Sequence, residues 1–463
     1  MKKYDLIVIG SGPGGYIAAE YASKQGLSTM IVEKENFGGV CLNKGCIPTK
    51  TLLRSSKINE YIKHAIEFGV DGINLENISL NWEKIQSRKN SVISKLQMGI
   101  GGLMKMAKVD VVMGNADIVD DHTILVNGEQ YSFDKLILAT GSEPRKLNLP
   151  GFELGYQTKK IMTSDEALNL TSIPKKFTVI GGGVIGVEFA LLYAELGSQV
   201  TILQGVDRIL EVLDKDISNE ITKLLLDKGI KIITDIKVLE YSDNKIVYEK
   251  DGSRQYDEAD VTLVSVGRVP NVELANKLNL NIERGFIVTD EHMVTSKPHV
   301  YAIGDCTSRI MLAHTAHKNA MVAVDTILGK QNKYVPLKVP SCVYTHPEVA
   351  SIGYTEEELI DKNIPYYKVK TPMSHIGKAL ADGSYNFGFI KLMVDKKTGE
   401  ILGCHIIAST ASDIIAEIAL AMESESTVYE LANTVHPHPT VSEAIWESAK
   451  KLLMENFKDK KWF

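Results

Sequence analysis

Two cysteines five residues apart sit in the stretch richest in chemistry, Gly38-Gly39-Val40-Cys41-Leu42-Asn43-Lys44-Gly45-Cys46-Ile47-Pro48-Thr49-Lys50. On a regular α-helix their Cα atoms would lie about 8.6 Å apart, given the helical rise and radius. A disulfide tolerates roughly 7 Å at most. If the two bond to each other the helix must be distorted, and Gly45 is the natural place for the break. Two separate buried thiols are the alternative reading. A metal site would need two further ligands, and no CxxC, HxxH or further cysteine cluster lies nearby to supply them. The HxxH spacing of His314 and His317 reads as a polar helix face, so no metal is expected.

His438 stands between Pro437 and Pro439, which bar it from a helix interior and hold it on a rigid extended segment. A free imidazole titrates near neutrality, so it can take a proton from a thiol and return it. Glu443 admits two roles. It can hold the second ring nitrogen, as an orienting acid does, or it can close a capping box with Thr440 ahead of the last helix. His436 is the rival histidine.

These groups need a frame, and the glycines outline it. The apolar run Tyr4–Ile9 leads into Gly10-Ser11-Gly12-Pro13-Gly14-Gly15, a helical stretch to about Gln25, and a strand Ser28–Val32 ending at Glu33. The same order recurs 171 residues later: strand Phe177–Ile180, Gly181-Gly182-Gly183-Val184-Ile185-Gly186, helix to Leu196, strand Gln199–Leu203 ending at Gln204. The first glycine of each set (Gly10, Gly181) allows a tight turn, and the second (Gly12, Gly183) lets a pyrophosphate approach the backbone. The third (Gly15, Gly186) lets helix pack on strand, and the helix N-terminus offers N–H donors to the anion. Two such units imply two dinucleotides and an enzyme that passes electrons between them.

Between the units lie a cysteine-bearing helix, a long helix from about Asn81 to Lys105, and short strands ending in Leu136-Ile137-Leu138-Ala139-Thr140-Gly141. Val300–Asp305 is another strand entering a glycine turn, followed by a helix near Leu312–Leu328. From about Val335 the pattern changes to strands (Phe387–Val394, Ile401–Ile407) and then helices (Ser412–Glu423, Val441–Phe457). The expected fold class is α/β, two Rossmann-like nucleotide-binding domains with a C-terminal α+β domain. The chain's 463 residues suit about three domains. With 44% hydrophobic and 24% charged residues it has ample core, which excludes disorder. A net charge of −6 without like-charge blocks argues against nucleic acid or an anionic membrane as partner. The longest apolar runs, Leu6–Ala19 and Phe177–Val187, are too short for a bilayer. Strand-like sequence from Tyr4 leaves no room for a leader, so the expected location is cytoplasmic. Five cysteines are odd in number and too few to staple the chain, which fits that compartment.

The Cys41–Lys50 stretch resembles the redox-active motif of the flavoprotein disulfide reductases, and within them the dihydrolipoamide dehydrogenase branch. Ile47-Pro48 after the second cysteine is the lipoamide form, where glutathione and mercuric reductases favour Val-Pro. The resemblance spans essentially the whole chain. It includes Ala139-Thr140-Gly141, Val266-Gly267-Arg268-Val269-Pro270-Asn271, Tyr301–Asp305, Val343–Gly353 and His436–Glu443. Val184 stands where glutathione reductases carry a tyrosine lid, and no cysteine follows Cys404.

The resemblance implies FAD and NAD as cofactors and a redox disulfide between Cys41 and Cys46. Cys41 would be the interchange thiol and Cys46 the thiol facing the flavin. Lys50, paired with Glu188, would sit near the flavin, with Glu33 on the adenosine ribose and Ala116 near the adenine. Asp305 would hold the ribityl and phosphate end, with Thr140, Gly141 and Gly267 along the same site. Ala313 would open a helix whose positive end meets the flavin. His438, with Glu443, would serve the disulfide of the other subunit of a homodimer. Implied domains are 1–147 (FAD, with the disulfide), 148–267 (NAD), 268–334 (completing the FAD site) and 335–463 (dimerisation). The implied reaction oxidises dihydrolipoamide carried by a lipoyl-bearing acyltransferase or a glycine-cleavage carrier protein, since the chain has no lipoyl domain of its own. Two rivals stand: another NAD(P)H-dependent disulfide reductase, and a non-catalytic flavoprotein acting as redox sensor or scaffold. Gln204 occupies the place of the usual acid of the NAD lobe. It keeps an acceptor oxygen, lacks the charge that repels a 2′-phosphate, and carries an amide able to donate to one. Arg208 follows four positions on, behind Asp207. NAD is therefore expected to win by fit rather than charge. Lys44, between the cysteines, would help lower a thiol pKa if it points inward, and otherwise reads as a solvated surface lysine.

Overall fold

The computed structural model describes residues 1–307, 310–384 and 386–458. Its first sheet has the strand order Asp110–Met113, Thr29–Glu33, Lys2–Ile9, Glu129–Leu138, Thr123–Val126, Ala116–Asp120. The strand Val300–Ala302 joins this sheet parallel to Leu136–Leu138, so a segment far along the chain completes it. Lys2–Ile9 pairs in parallel on both sides and carries Leu6, Ile7 and Val8 fully buried, as a strand covered on both faces must. Two helices, Pro13–Lys24 and Ala313–Ile327, lie against each other beside it. Gly14 permits that approach: a Cβ there would come 3.2 Å from Ala316 O and 3.0 Å from Ile303 Cδ1.

The second sheet repeats the plan with five parallel strands, Lys231–Ile233, Gln199–Leu203, Lys176–Ile180, Val261–Val264 and Ile161–Met162. Its crossover helix Val184–Glu195 is apolar nearly all round and almost wholly buried, because the redox helix and the C-terminal domain cover the side that faces away from the sheet. An antiparallel three-stranded ribbon, Lys237–Ser242, Lys245–Lys250 and Ser253–Glu258, packs on this lobe and was not expected from the sequence.

The C-terminal domain is a five-stranded antiparallel sheet in the order Ser341–Val343, Glu348–Gly353, Ile401–Ala408, Phe389–Asp395, Tyr366–Pro372. Helices Ala411–Glu423 and Glu443–Asn456 cover it. Of these, only Ile401–Ala408 and its neighbour Phe389–Asp395 are legible in the sequence; the other three strands and the short helix Val428–Asn433 are additions. The last helix also starts two residues later than the pattern suggested, at Glu443 rather than Val441. Thr440 Oγ1 turns to Pro437 O and Ser442 Oγ instead of capping the helix, so only half of the capping box forms.

Candidate active site

The redox stretch is not one helix but two, Gly39–Lys44 and Cys46–Lys63, separated at Gly45. Gly45 has φ −148° and ψ −115°, a break in the helical path at the place the cysteine spacing demanded. Cys41 ends up against Cys46, within hydrogen-bonding reach of it across the break. The hydrogen bond from Cys41 favours the Cys46 thiolate. Burial opposes this, the Lys50 ammonium adds to it, and the balance lowers the Cys46 thiol to about 7. Cys41 moves the opposite way, well above the usual thiol range, because its proton is held in that same bond and it is buried. Lys44 is on the surface, paired with Glu35 at 2.8 Å.

Lys50, one turn along the redox helix, donates to both oxygens of Glu188 at 2.8 and 3.0 Å. Glu188 is buried on the second lobe's crossover helix and also accepts the Tyr344 N–H at 3.0 Å. The ammonium lies 4.5 Å from the centre of the Tyr344 ring. Three domains therefore meet at one buried carboxylate. Tyr344 carried no sequence signal beyond its place in a quoted motif. Cys342, two residues before it, is a third thiol near Lys50, but burial pushes it up to about 11 and keeps it protonated.

The two glycine turns match atom for atom. A Cβ on Gly10 (φ +99°) would strike Ala139 O at 2.3 Å, and one on Gly181 (φ +103°) would strike Ser265 O at 2.5 Å. Gly15 and Gly186 abut the carbonyls of Gly10 and Gly181, at 1.8 and 2.0 Å from a built Cβ. Gly12 and Gly183 differ. Both have extended backbone, and a Cβ there meets only Gly39 Cα at 3.9 Å or nothing. Packing does not require glycine at either, so the space is left for something that approaches the backbone. That is the fit expected for the pyrophosphate of a dinucleotide in each lobe.

Glu33 ends its strand with Oε2 accepting Ser11 N–H at 2.8 Å and Ser11 Oγ at 2.6 Å, and Oε1 accepting Glu35 N–H at 2.7 Å. Gly114 N–H donates to Glu33 O at 2.8 Å, which brings the start of the Ala116 strand to the same edge. Thr140 and Gly141 are tied to Asn271: Thr140 Oγ1 donates to Asn271 O at 2.7 Å, and Asn271 N–H to Gly141 O at 2.9 Å. Asp305 accepts Ser142 Oγ–H at 2.6 Å, and Arg268, just after Gly267, binds Ser142 through Nε at 2.7 Å. Ser142 and Arg268 are the residues missed here. Ala313 is the first residue of its helix, with Leu312 as extended N-cap.

Gln204 departs from the expectation. Oε1 accepts Gly182 N–H at 2.8 Å, while Nε2 donates to Arg208 O at 3.0 Å and Glu211 Oε2 at 3.3 Å. The amide hydrogens are engaged within the protein and are not available to a phosphate.

His438 and Glu443 are joined, Nδ1 to Oε1, at 2.9 Å. The His438 side chain is 78% exposed, and its Nε2 has no partner among the described residues. His436 has both nitrogens engaged, by Glu417 at 2.8 Å and Thr434 O at 3.0 Å, and its side chain is buried.

The fold and this site define a class: the chain belongs to the pyridine nucleotide-disulphide oxidoreductases, matching that family over residues 4–320 and its dimerisation domain over residues 339–449. Among its relatives is the dihydrolipoyl dehydrogenase of Mycoplasma pneumoniae, 49% identical over 458 residues, covering 98% of this chain and 100% of the relative. The Bacillus subtilis dihydrolipoyl dehydrogenase is 41% identical and covers 96% and 97%. Of solved structures, LpdA from Mycobacterium tuberculosis aligns with a TM-score of 0.87 at 25% identity, over 98% of this chain and 100% of that one. No helix among the described residues is long and apolar enough to cross a membrane.

Proposed function

We propose that this chain is a dihydrolipoyl dehydrogenase, which oxidises protein-bound dihydrolipoamide through Cys41, Cys46 and FAD and reduces NAD⁺. The lipoyl group arrives on a separate carrier, an acyltransferase of a 2-oxo acid dehydrogenase complex or the carrier protein of glycine cleavage. The chain acts as a homodimer, each protomer's His438 serving the thiol pair of the other. The exposed His438, whose Nε2 has no partner among the described residues, lies on a family dimerisation domain and supports that arrangement. The domain divisions near residues 147, 267 and 334 follow the same reading.

The thiol pair across the Gly45 break carries the proposal, with Cys46 the better thiolate and Lys50 beside it. In the oxidised pair, His438 Nε2 takes the proton of one substrate thiol, and the thiolate attacks Cys41 Sγ. The S–S bond breaks with its electron pair on Cys46, which leaves readily because its anion is stabilised. The second substrate sulfur then attacks the one bonded to Cys41, closing the cyclic disulfide. One proton ends on Cys41 and one on His438. Bound FAD supplies the two-electron relay by which the dithiol's electrons reach NAD⁺. Glu443 orients the imidazole and offsets its positive charge. Lys50 and Glu188 hold a cation beside Cys46 while it carries charge. The Gly10–Gly15 turn and the residues Glu33, Ala116, Thr140, Gly141, Asp305 and Ala313 would hold FAD, and the Gly181–Gly186 turn, braced by Gln204, would hold NAD.

One equivalent of dihydrolipoamide, added anaerobically to the oxidised FAD-loaded enzyme before alkylation and peptide mapping, tests this. The proposal expects label at Cys41 and Cys46. Label confined to Cys306, Cys342 or Cys404 contradicts it.

A further inference from the structure

The acid missing from the end of the strand Gln199–Leu203 has a replacement seven residues further on. Gln204 Oε1 takes the Gly182 N–H as Glu33 Oε2 takes the Ser11 N–H, both at 2.8 Å, so the amide does the carboxylate's work toward the turn. What Gln204 lacks is charge, and its Nε2 reaches Glu211 Oε2 at 3.3 Å. The loop bearing Glu211 is pinned to the glycine turn. Leu210 N–H donates to Gly182 O at 2.8 Å, and a Cβ on Gly182 would lie 2.6 Å from Ile209 Cγ2. Gln204 is buried beneath this loop and Glu211 is exposed on it. A carboxylate thus stands at the rim beside the strand end, where this fold reads the adenosine 2′-hydroxyl.

We propose that Glu211, held through the Gln204 amide, is the residue that makes this lobe select NAD over NADP. The assignment rests on reading the second lobe as the NAD site. A 2′-phosphate would enter against the Glu211 charge and meet an amide with no hydrogen to give. Arg208 completes the device. Its Nη2 donates to Glu211 O at 3.0 Å, and its buried Nε has no partner among the described residues. Selection is therefore by charge, not by fit alone.

Calorimetric titration of the FAD-loaded dimer with NAD⁺ and with NADP⁺, in the absence of thiol substrate, tests the assignment. Glu211→Gln should tighten NADP⁺ by about tenfold, the order expected of one neutralised charge at close range, with NAD⁺ changed far less. Glu211→Asp should keep most of the discrimination, and Asp207→Asn, an acid on the same loop, should leave it intact. The wild-type preference should narrow as salt is raised. An unchanged ratio in Glu211→Gln, or an equal effect of Asp207→Asn, overturns the role of Glu211. Wild-type protein that binds neither nucleotide overturns the reading of the lobe itself.

Discussion

Glu443 serves two partners at once: Oε1 meets His438 Nδ1 at 2.9 Å, and Oε2 accepts the Thr440 N–H at 2.9 Å. The first contact orients the imidazole; the second closes the turn ahead of the helix rather than capping it, because the helix begins at Glu443 itself. The carboxyl is held below its usual range by the Thr440 N–H first and by His438 second.

Removal of the base should therefore be costly and specific. His438→Ala should lower lipoamide turnover by about 10²–10⁴, the usual loss for a general base, while FAD content and reduction by NADH persist. Glu443→Gln should lose less, since an amide still holds the ring. His436→Ala should act on stability, because that ring is buried against Glu417. Steady-state rates for the three variants decide it, and a larger defect in His436→Ala would show that the wrong histidine had been assigned.

Cys46 should titrate near neutrality in the dithiol enzyme. With Cys41→Ser, a hydroxyl donor remains and Cys46 alone should give a long-wavelength charge-transfer band with bound flavin. The band should fade as pH falls through about 7. Cys41→Ala removes the largest favourable contribution, so its midpoint should move to higher pH. Cys46→Ser should give no band. Spectral titration checks all three, and a band in Cys46→Ser would exchange the two roles.

The Lys50–Glu188 pair predicts a different pattern. Lys50→Met leaves Glu188 buried with only the Tyr344 N–H, a loss of about 2 kcal/mol typical of a charged hydrogen bond. It should also raise the Cys46 midpoint, since Lys50 helps to lower it. Adding Glu188→Leu should restore part of the stability and, because the Glu188 charge raises Cys46, draw the midpoint only part of the way back. Denaturant unfolding and the same spectral titration separate the two effects, and a double variant less stable than Lys50→Met would contradict this account of the pair.

A buried cation joins the second lobe to the C-terminal domain. Lys391 is 2% exposed and reaches Asp214 at 2.9 Å, Asp216 at 2.9 Å and Glu356 at 2.6 Å. Burial pushes the Glu356 carboxyl up, yet hydrogen bonds from Lys368, Lys391 and Tyr366 bring it down to about 2. A depressed folded-state value means stability is present above the unfolded value and lost as pH falls through the folded one. Acid unfolding should therefore steepen between about 4.5 and 2. Lys391→Met should cost about 3–5 kcal/mol at neutral pH by stranding the buried Asp214. It should also flatten that acid limb, and a melting temperature equal to wild type at pH 7 would contradict the assignment.

What the sequence revealed was whatever rests on local pattern. The glycine turns needed only spacing and flanking strands, and the Gly45 break followed from the reach of a disulfide against the pitch of a helix. Tyr344, Ser142 and Arg268 were not legible as site residues because the groups they bind, Glu188, Asp305 and Ser142 respectively, each lie more than a hundred residues away. The missed strands of the C-terminal sheet are short or broken in pattern: Ser341–Val343 has three residues, Glu348–Gly353 mixes small polar with apolar residues, and Tyr366–Pro372 alternates only over its second half. Gln204 was misread in one respect: an amide's donors can be engaged by a loop whose path no periodicity announces. Lys391 reads from sequence as an ordinary strand lysine, and only the fold shows that three carboxylates surround it.

The most direct measurement is steady-state turnover of the FAD-loaded enzyme with dihydrolipoamide and NAD⁺, set against glutathione disulfide with NADPH. The account predicts kcat/KM for the lipoamide reaction in the ordinary enzyme range, roughly 10⁴ M⁻¹s⁻¹ or above. That activity should be abolished by Cys41→Ser and by Cys46→Ser. Negligible lipoamide oxidation beside efficient reduction of glutathione disulfide, or turnover that survives both serine variants, would contradict it.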